Sequence, residues 1–199
     1  MALAADIGDG DLDFRTPVGP VRITTRIDGG IRTAAFTSVE PYVEELPPAA
    51  LTSVLALIGA HADDLDPTRP PRLAFAGNRH PVVVLGDRAV FDGFTFDAAE
   101  ARTLMDAAGW PATIIVLHAL DAARWEARNI FPVGAITEDP ATGAAAAATG
   151  ACLRDIGALA PPARFVIEQG RHVGRPGLLI VDVPTAGGIT VSGPAVRIE

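Results

Sequence analysis

Apolar positions in this chain come mostly in short runs broken by Gly, Pro and Asp, a pattern of strands and tight turns rather than of long amphipathic helices. Residues 14–27, the Asp-Gly-Gly at 28–30 and residues 31–36 predict two strands joined at a tight turn. After a Pro-rich passage over 39–48, residues 51–57 carry apolar positions at helical spacing and end near Gly59. Strands are expected at 72–76 and 81–85, flanking Gly-Asn-Arg-His at 77–80, with a turn at Gly86-Asp87. A helix follows over 97–108, then strands at 113–117 and 125–131, and later at 164–169, 177–183 and 188–193, with one more at 195–198.

One segment departs from this pattern. Glu-Asp-Pro-Ala-Thr-Gly at 138–143 opens into a run of small residues, Ala144 to Ala148 with Gly150 and Ala151. Pro140 suits the first turn of a helix, and Asp139 before it is placed to accept from the free amides of that turn. A helix with no large side chain on any face for two turns is stable only where other elements enclose it, so it reads as a rod sheathed by sheet. Its start leaves backbone N–H groups pointing outward with the positive end of the dipole behind them, a receptor for a carboxylate or other anion. Many short strands, few helices and no regular alternation predict an α+β fold, a curved mixed sheet wrapped around this central Ala-rich helix.

Composition narrows the chemistry. The 199 residues suffice for one domain or two small ones, and 49% hydrophobic content supports a core. A formal charge of −8 without any basic run excludes a phosphate-backbone partner, so no nucleic acid is expected. No apolar run is long enough for a membrane span, and the opening Met-Ala-Leu-Ala-Ala-Asp lacks a basic flank and a long apolar stretch, so neither membrane nor signal peptide is expected and the cytoplasm is the expected location. Four scattered histidines and a single cysteine give no zinc spacing, the acids follow no calcium-loop pattern, and no nucleotide fingerprint is present; no metal and no cofactor are expected. Cys152, inside the Ala-rich helix, reads as a buried side chain rather than a nucleophile. There is no internal repeat.

Several motifs occur together and in order: Ala-Arg-Asn-Ile-Phe at 127–131, Glu-Asp-Pro-Ala-Thr-Gly at 138–143, Glu-Gln-Gly at 168–170, Gly-Arg-Pro at 174–176, and Phe-Arg-Thr-Pro-Val-Gly at 14–19. Together they resemble the phenazine-biosynthesis isomerase (PhzF-like) family, which shares the diaminopimelate epimerase fold, over nearly the whole chain. The resemblance implies two similar lobes, each a curved sheet around a central helix, with the ligand in the cleft between them. Here residues 39–185 would form the C-terminal lobe, and residues 1–38 with 186–199 part of the N-terminal one.

It implies a small carboxylated ligand and cofactor-independent acid/base proton transfer in a biosynthetic reaction. Asp139 would line the cleft, and Glu138, Thr142, Gly143 and Ala144 would meet the substrate. Asn78, in the loop at 77–80, resembles a residue approaching the ligand from the same lobe. Asp139 is read first as orienting a ligand or capping its helix, second as the acid or base; His80 is the next proton-transfer candidate.

The chain also departs from the family. Ala144 stands where members usually carry a serine, and the epimerases' catalytic cysteine is absent, Cys152 lying about three helical turns further on at ~1.5 Å per residue. The family's N-terminal lobe usually contributes about seventy further residues, a typical portion of a domain, with Gly-Asn-Pro, Ser-Glu-Thr and Gly-His-Pro segments and the proton-shuttling glutamate. Glu40, Glu44 and Glu45 do not match that glutamate's context and read as solvated carboxylates. The expectation is therefore an N-terminally shortened member needing a complementing chain or a homodimer partner; the alternatives are a catalytically inactive oligomeric or ligand-binding protein, or a cleft adapted to another reaction with Asp139 and His80 as its acid/base pair.

Overall fold

The computed structural model describes residues 9–133 and 136–195. Within them a single mixed sheet of twelve strands runs in the order β1-β2-β3-β12-β11-β10-β8-β7-β6-β5-β4, with β9 beside β8. The chain builds it as β1 (Gly10–Thr16), β2 (Gly19–Asp28), β3 (Ile31–Thr37), β4 (Tyr42–Glu45), α1 (Pro48–Leu57), β5 (Arg72–Phe75), β6 (Arg79–Val84), α2 (Arg88–Gly93), α3 (Ala98–Ala108), β7 (Ile114–Ala119), β8 (Arg124–Val133), β9 (Ile136–Asp139), α4 (Gly143–Asp155), β10 (Ala163–Gln169), β11 (Gly177–Val183) and β12 (Thr190–Pro194).

The sheet is curled. β3 pairs with β12 near one end of the path, yet the chain passes from β3 to β4, at the far edge, through residues 38–41 alone. Four residues span at most ~14 Å. The strands from β12 round to β4 therefore close almost into a barrel, and α4 fills it, touching β4, β5, β6, β11 and β12. Just beyond the β3–β12 pairing the two strands stay tightly packed at Gly188, where an added Cβ would sit 2.1 Å from the Ser38 carbonyl oxygen.

The small residues of α4 are what let the sheet close. Ala147 and Ala148 are wholly buried, and a Cβ on Gly150 would meet Ile189, Val181 and Val183 at 2.9, 3.0 and 3.2 Å. Inward residues of every layer, such as Val82, Ile115, Phe165 and Val191, pack on this rod. Residues of opposite parity, such as Val83, Val116 and Ile130, pack on α1 to α3 through Phe91, Met105 and Trp110. β6 and β7 are thus buried on both faces, which is why 81–85 and 114–117 read as unbroken apolar runs instead of alternating ones.

The structure corrects several boundaries. Residues 14–27 are not one strand: Pro17-Val18 forms a turn, closed by the Thr16 hydroxyl donating to the Gly19 carbonyl at 2.6 Å, and the segment belongs to two antiparallel strands of a three-stranded meander. Strands at 42–45 and 136–139 and the short helix α2 add to the expected elements. α4 begins at Gly143 with Thr142 as its N-cap, so Pro140 lies in the turn before the helix and Asp139 closes a strand instead of capping. The strand expected at 195–198 falls, beyond Ala195, outside the described residues. β12 pairs with β3 on one side and with β11 on the other, within the one sheet.

Candidate functional site

The site is set by how β8 is shared. β7 occupies one side of β8, while β10 pairs with Arg124 to Ala127 on the other and β9 takes over that side from Asn129 onward. Gln169, the last residue of β10, therefore ends beside Asp139, the last residue of β9. Alternation along β8 and β9 then sorts the side chains. Asn129 and its partner Asp139 face α4, while Arg128, Ile130 and Glu138 face outward.

The turn from Asp139 to Gly143 is held by Gln169, which is 2% exposed. Its Nε2 donates to the Asp139 carbonyl at 2.6 Å and to the Thr142 hydroxyl at 3.0 Å, and its Oε1 accepts from the Thr142 amide at 3.4 Å. With the Thr142 oxygen already receiving a proton from Gln169, its own hydroxyl proton goes to Asp139 Oδ2 at 2.7 Å. The backbone beneath is equally tight: a Cβ on Gly170, whose φ is +87°, would lie 2.3 Å from the Arg175 carbonyl and 2.7 Å from that of Pro140. The Glu-Gln-Gly and Gly-Arg-Pro motifs are thus the buttress of the Asp139 turn.

At the start of α4 the Ala146 amide makes the first helical bond, to the Thr142 carbonyl at 3.0 Å, and no side chain caps the helix. The amides of Gly143, Ala144 and Ala145 have no acceptor among the described residues. Helices satisfy such groups with a cap, water or a ligand, and the positive end of the dipole there favours an anion. Phe36 of β3 walls this turn so closely that a Cβ on Gly143 would be 2.7 Å from its ring. Ala144 is half-buried and supplies no hydroxyl.

The other expected residues are placed differently. Arg72 at the start of β5 reaches Asp155 at the end of α4 at 4.0 Å, so the far end of β5, with Asn78 in its turn, lies toward the mouth where α4 begins; Asn78 is exposed. Glu138 is turned away from the mouth: Arg128 binds both its oxygens, through Nε at 3.2 Å and through Nη2, and also donates to the Phe91 and Phe94 carbonyls at 3.1 and 2.9 Å. That carboxylate is committed to a buried ion pair on the outer face.

His80 is fully buried on the inner face. Its Nδ1 lies 3.0 Å from the Thr113 carbonyl and 3.1 Å from the Thr113 hydroxyl, and Nε2 has no partner. Burial lowers its pKa from 6.5 to about 4, so it is a neutral imidazole at physiological pH. Cys152, nine residues along α4, is 2% exposed and burial pushes its thiol up to about 12. It is no nucleophile.

A second cluster, Asp92, Glu126 and His172, brings potential metal-ligand atoms within 4.8 Å of one another on the outer face. Its charge is already met: Arg171 bonds Glu126 at 2.7 Å and Asp92 at 2.5 Å, and Arg88 bonds the same two at 2.8 Å each. Two guanidiniums in the cluster oppose a cation, and the network ties α2 to the loop after β10. Among the described residues no helix is long and apolar enough to cross a membrane.

A curved sheet around an alanine rod, with an Asp-Pro turn and free amides at its mouth, defines an α+β protein built as a nearly closed sheet on a central helix. The chain belongs to the phenazine biosynthesis-like (PhzC-PhzF) protein family, whose sequence profile matches residues 1–199. Among solved structures it is similar to a protein from Pseudomonas aeruginosa described as a predicted epimerase, with TM-score 0.77 and 24% identity over 99% of this chain and 68% of that one. It is also similar to the Bacillus anthracis PhzF-family phenazine biosynthesis protein, with TM-score 0.75 and 18% identity over 97% of this chain and 68% of that one. A PhzF-family protein from Enterococcus faecalis matches with TM-score 0.63 and 19% identity, over 95% of this chain and 63% of that one. At these identities the likeness establishes the fold, and this chain spans roughly two thirds of each relative's length. No curated protein matches significantly.

Proposed function

We propose that this chain carries one wall of the active cleft of a PhzF-like isomerase, which moves a proton on a small carboxylated metabolite without a cofactor. The observation that supports it is the juxtaposition of three amides lacking acceptors, at Gly143, Ala144 and Ala145, with the half-buried carboxylate of Asp139. In this reading the amides bind the substrate carboxylate and stabilise charge that develops as the neighbouring C–H bond breaks. Asp139, fixed by Thr142, orients the substrate or exchanges the proton. The opposing wall and its proton-shuttling group come from polypeptide beyond these 199 residues or from a second chain, consistent with relatives that are longer by about half again.

The test is solvent deuterium entering a carboxylated substrate, measured by mass spectrometry with the cleft complete. Exchange that Asp139→Asn abolishes supports the reading; exchange untouched by that substitution, or none with both walls present, overturns it. A non-catalytic, ligand-binding role is favoured by one observation, the loss at Ala144 of the hydroxyl usual in the family. That role predicts saturable carboxylate binding with no exchange. Adaptation of the cleft to another reaction, with Asp139 and His80 as the pair, requires the protein to open around His80, which solvent does not reach.

A further inference from the structure

The loop between β10 and β11, residues 170–176, is the seat of the Asp139 turn. Both its ends bear on the same stretch of backbone: a Cβ on Gly170 would lie 2.7 Å from the Pro140 carbonyl oxygen and 3.1 Å from the Pro140 Cα, and one on Gly177, where β11 begins, 3.6 Å from that oxygen and 3.7 Å from the Ala141 Cβ. The loop's own backbone bonds run within it, from the Val173 and Arg175 amides to the Gly170 carbonyl at 3.2 and 2.9 Å and from the Gly174 amide to the Arg171 carbonyl at 3.1 Å. Its tie to the outer layer is Arg171, whose Nε donates to Glu126 Oε1 on β8 at 2.7 Å and whose Nη2 donates to Asp92 Oδ1 on α2 at 2.5 Å. Arg88 takes the other oxygen of each carboxylate, Glu126 Oε2 and Asp92 Oδ2, at 2.8 Å. Two guanidiniums and two carboxylates thus form a closed ring with every carboxylate oxygen engaged, and the Glu126 side chain within it is 4% exposed. Such a ring holds better than an isolated surface pair, because each charge has two partners in a fixed geometry. His172 beside it meets Phe91 edge-on, ring centroids 5.7 Å apart. Burial, and then the charges of Arg128 and Arg171, hold its pKa below the ordinary 6.5, so it packs as a neutral ring.

We propose that Arg171 is a positioning residue for the carboxylate site at the start of α4. It clamps the 170–176 loop to β8 and α2, the loop seats Pro140 and Ala141, and the turn so held carries Asp139 on one side and Thr142 with the first turn of α4 on the other. Gln169 grips that turn by its three side-chain bonds, and Arg171, two residues on, fixes the backbone beneath it from the outer face. Only a forked cation spans both carboxylates, so a lysine at 171 would keep one contact and lose the other. The inference rests on the proposed carboxylate site for its role, while the clamp itself is read in the ligand-free protein.

The experiment records the backbone amide signals of residues 141–143 and the side-chain NH2 signals of Gln169 by NMR, first without ligand. The proteins are the wild type, Arg171→Met, Arg171→Lys, Asp92→Asn and, as a control, Arg164→Met, which breaks the Arg164–Asp182 pair at the far end of β10. Because the Gln169 NH2 donates to the Asp139 carbonyl and the Thr142 hydroxyl, its signals report the position of the turn. Arg171→Met is expected to move both sets of signals and to quicken exchange of the Thr142 amide by about threefold to tenfold. Arg171→Lys and Asp92→Asn, each of which spares one of the two charged contacts of Arg171, should move the same signals the same way by less. Arg164→Met should leave them in place. Signals that keep their wild-type positions in Arg171→Met, or that move as far in Arg164→Met, would overturn the proposal; should Arg171→Met not fold, Asp92→Asn decides by the same comparison. Titration with benzoate then separates the two readings. Binding weaker in Arg171→Met than in the wild type supports the role in the site, and equal binding overturns it. No binding by the wild type overturns the carboxylate reading, with the ligand-free signals still deciding the clamp.

Discussion

At the scale of single residues, the proposed site separates groups at the mouth of the barrel from groups that hold them in place. Gln169 belongs to the second kind. Replacing it with Leu deletes all three of its bonds to the Asp139–Thr142 turn and leaves a buried carbonyl and an amide unpaired, which should cost about 1–3 kcal/mol in urea unfolding. The buried pair Arg128–Glu138 is more severe: Glu138→Ala strands a guanidinium whose side chain is 7% exposed, a loss of about 3–5 kcal/mol in the same measurement. A Glu138 variant that folds normally and fails only in ligand binding would contradict the outward placement.

His80 gives a pH signature. Its folded pKa, lowered by burial from 6.5 to about 4, means that the unfolded chain binds the proton first as pH falls. The stability is therefore present above pH 6.5 and lost on going down toward pH 4, by about 3 kcal/mol at most from this one group. Urea unfolding at pH 7.5 and 4.5, each value about two units or less from the window's edges, should show a smaller pH difference for His80→Gln than for the wild type. Equal differences would contradict the burial.

At the scale of elements, the alanine rod was legible because nothing but enclosure stabilises a helix without large side chains. The start of that helix was not. Asp-Pro reads as a cap, yet 136–139 pair with β8 and postpone the helix to Gly143; a four-residue strand carries too little pattern to announce itself. The Pro17-Val18 turn was hidden for a related reason, since Thr-Pro-Val-Gly sits inside a run of strand-forming residues.

Tight residues on α4 are where the element scale is tested. Ala147 is wholly buried among the inward side chains of the barrel. Ala147→Leu should lower stability by about 1–3 kcal/mol or more through overpacking, read as a drop in the unfolding midpoint with an unchanged denaturant slope.

At the scale of the whole molecule, the motifs disclosed the fold because their residues make the contacts that close it. Gly170, lacking a Cβ, admits the Pro140 and Arg175 carbonyls, and Gln169 follows from the Glu-Gln-Gly motif although its role does not. Contacts between residues far apart in sequence escaped: nothing near Phe36 in the chain signals that its ring walls Gly143.

The inward row that α4 covers continues past the barrel onto β3, β2 and β1, through the pairs Val191–Phe36, Phe36–Ile23 and Ile23–Leu12. Phe36, Ile23 and Leu12 are only half-buried there. An apolar sheet face of this kind favours association, so light scattering should report a dimer or larger species, or a complex with a complementing chain, and a clean monomer would contradict this expectation.

If the first turn of α4 is a carboxylate site, as proposed, its three free amides must respond to a carboxylate. Titration of the protein with benzoate, followed through backbone amide resonances, tests it most directly. Saturable shifts are expected at Gly143, Ala144 and Ala145 that methyl benzoate does not produce. Shifts absent at these three amides, or the same with the ester, would contradict it.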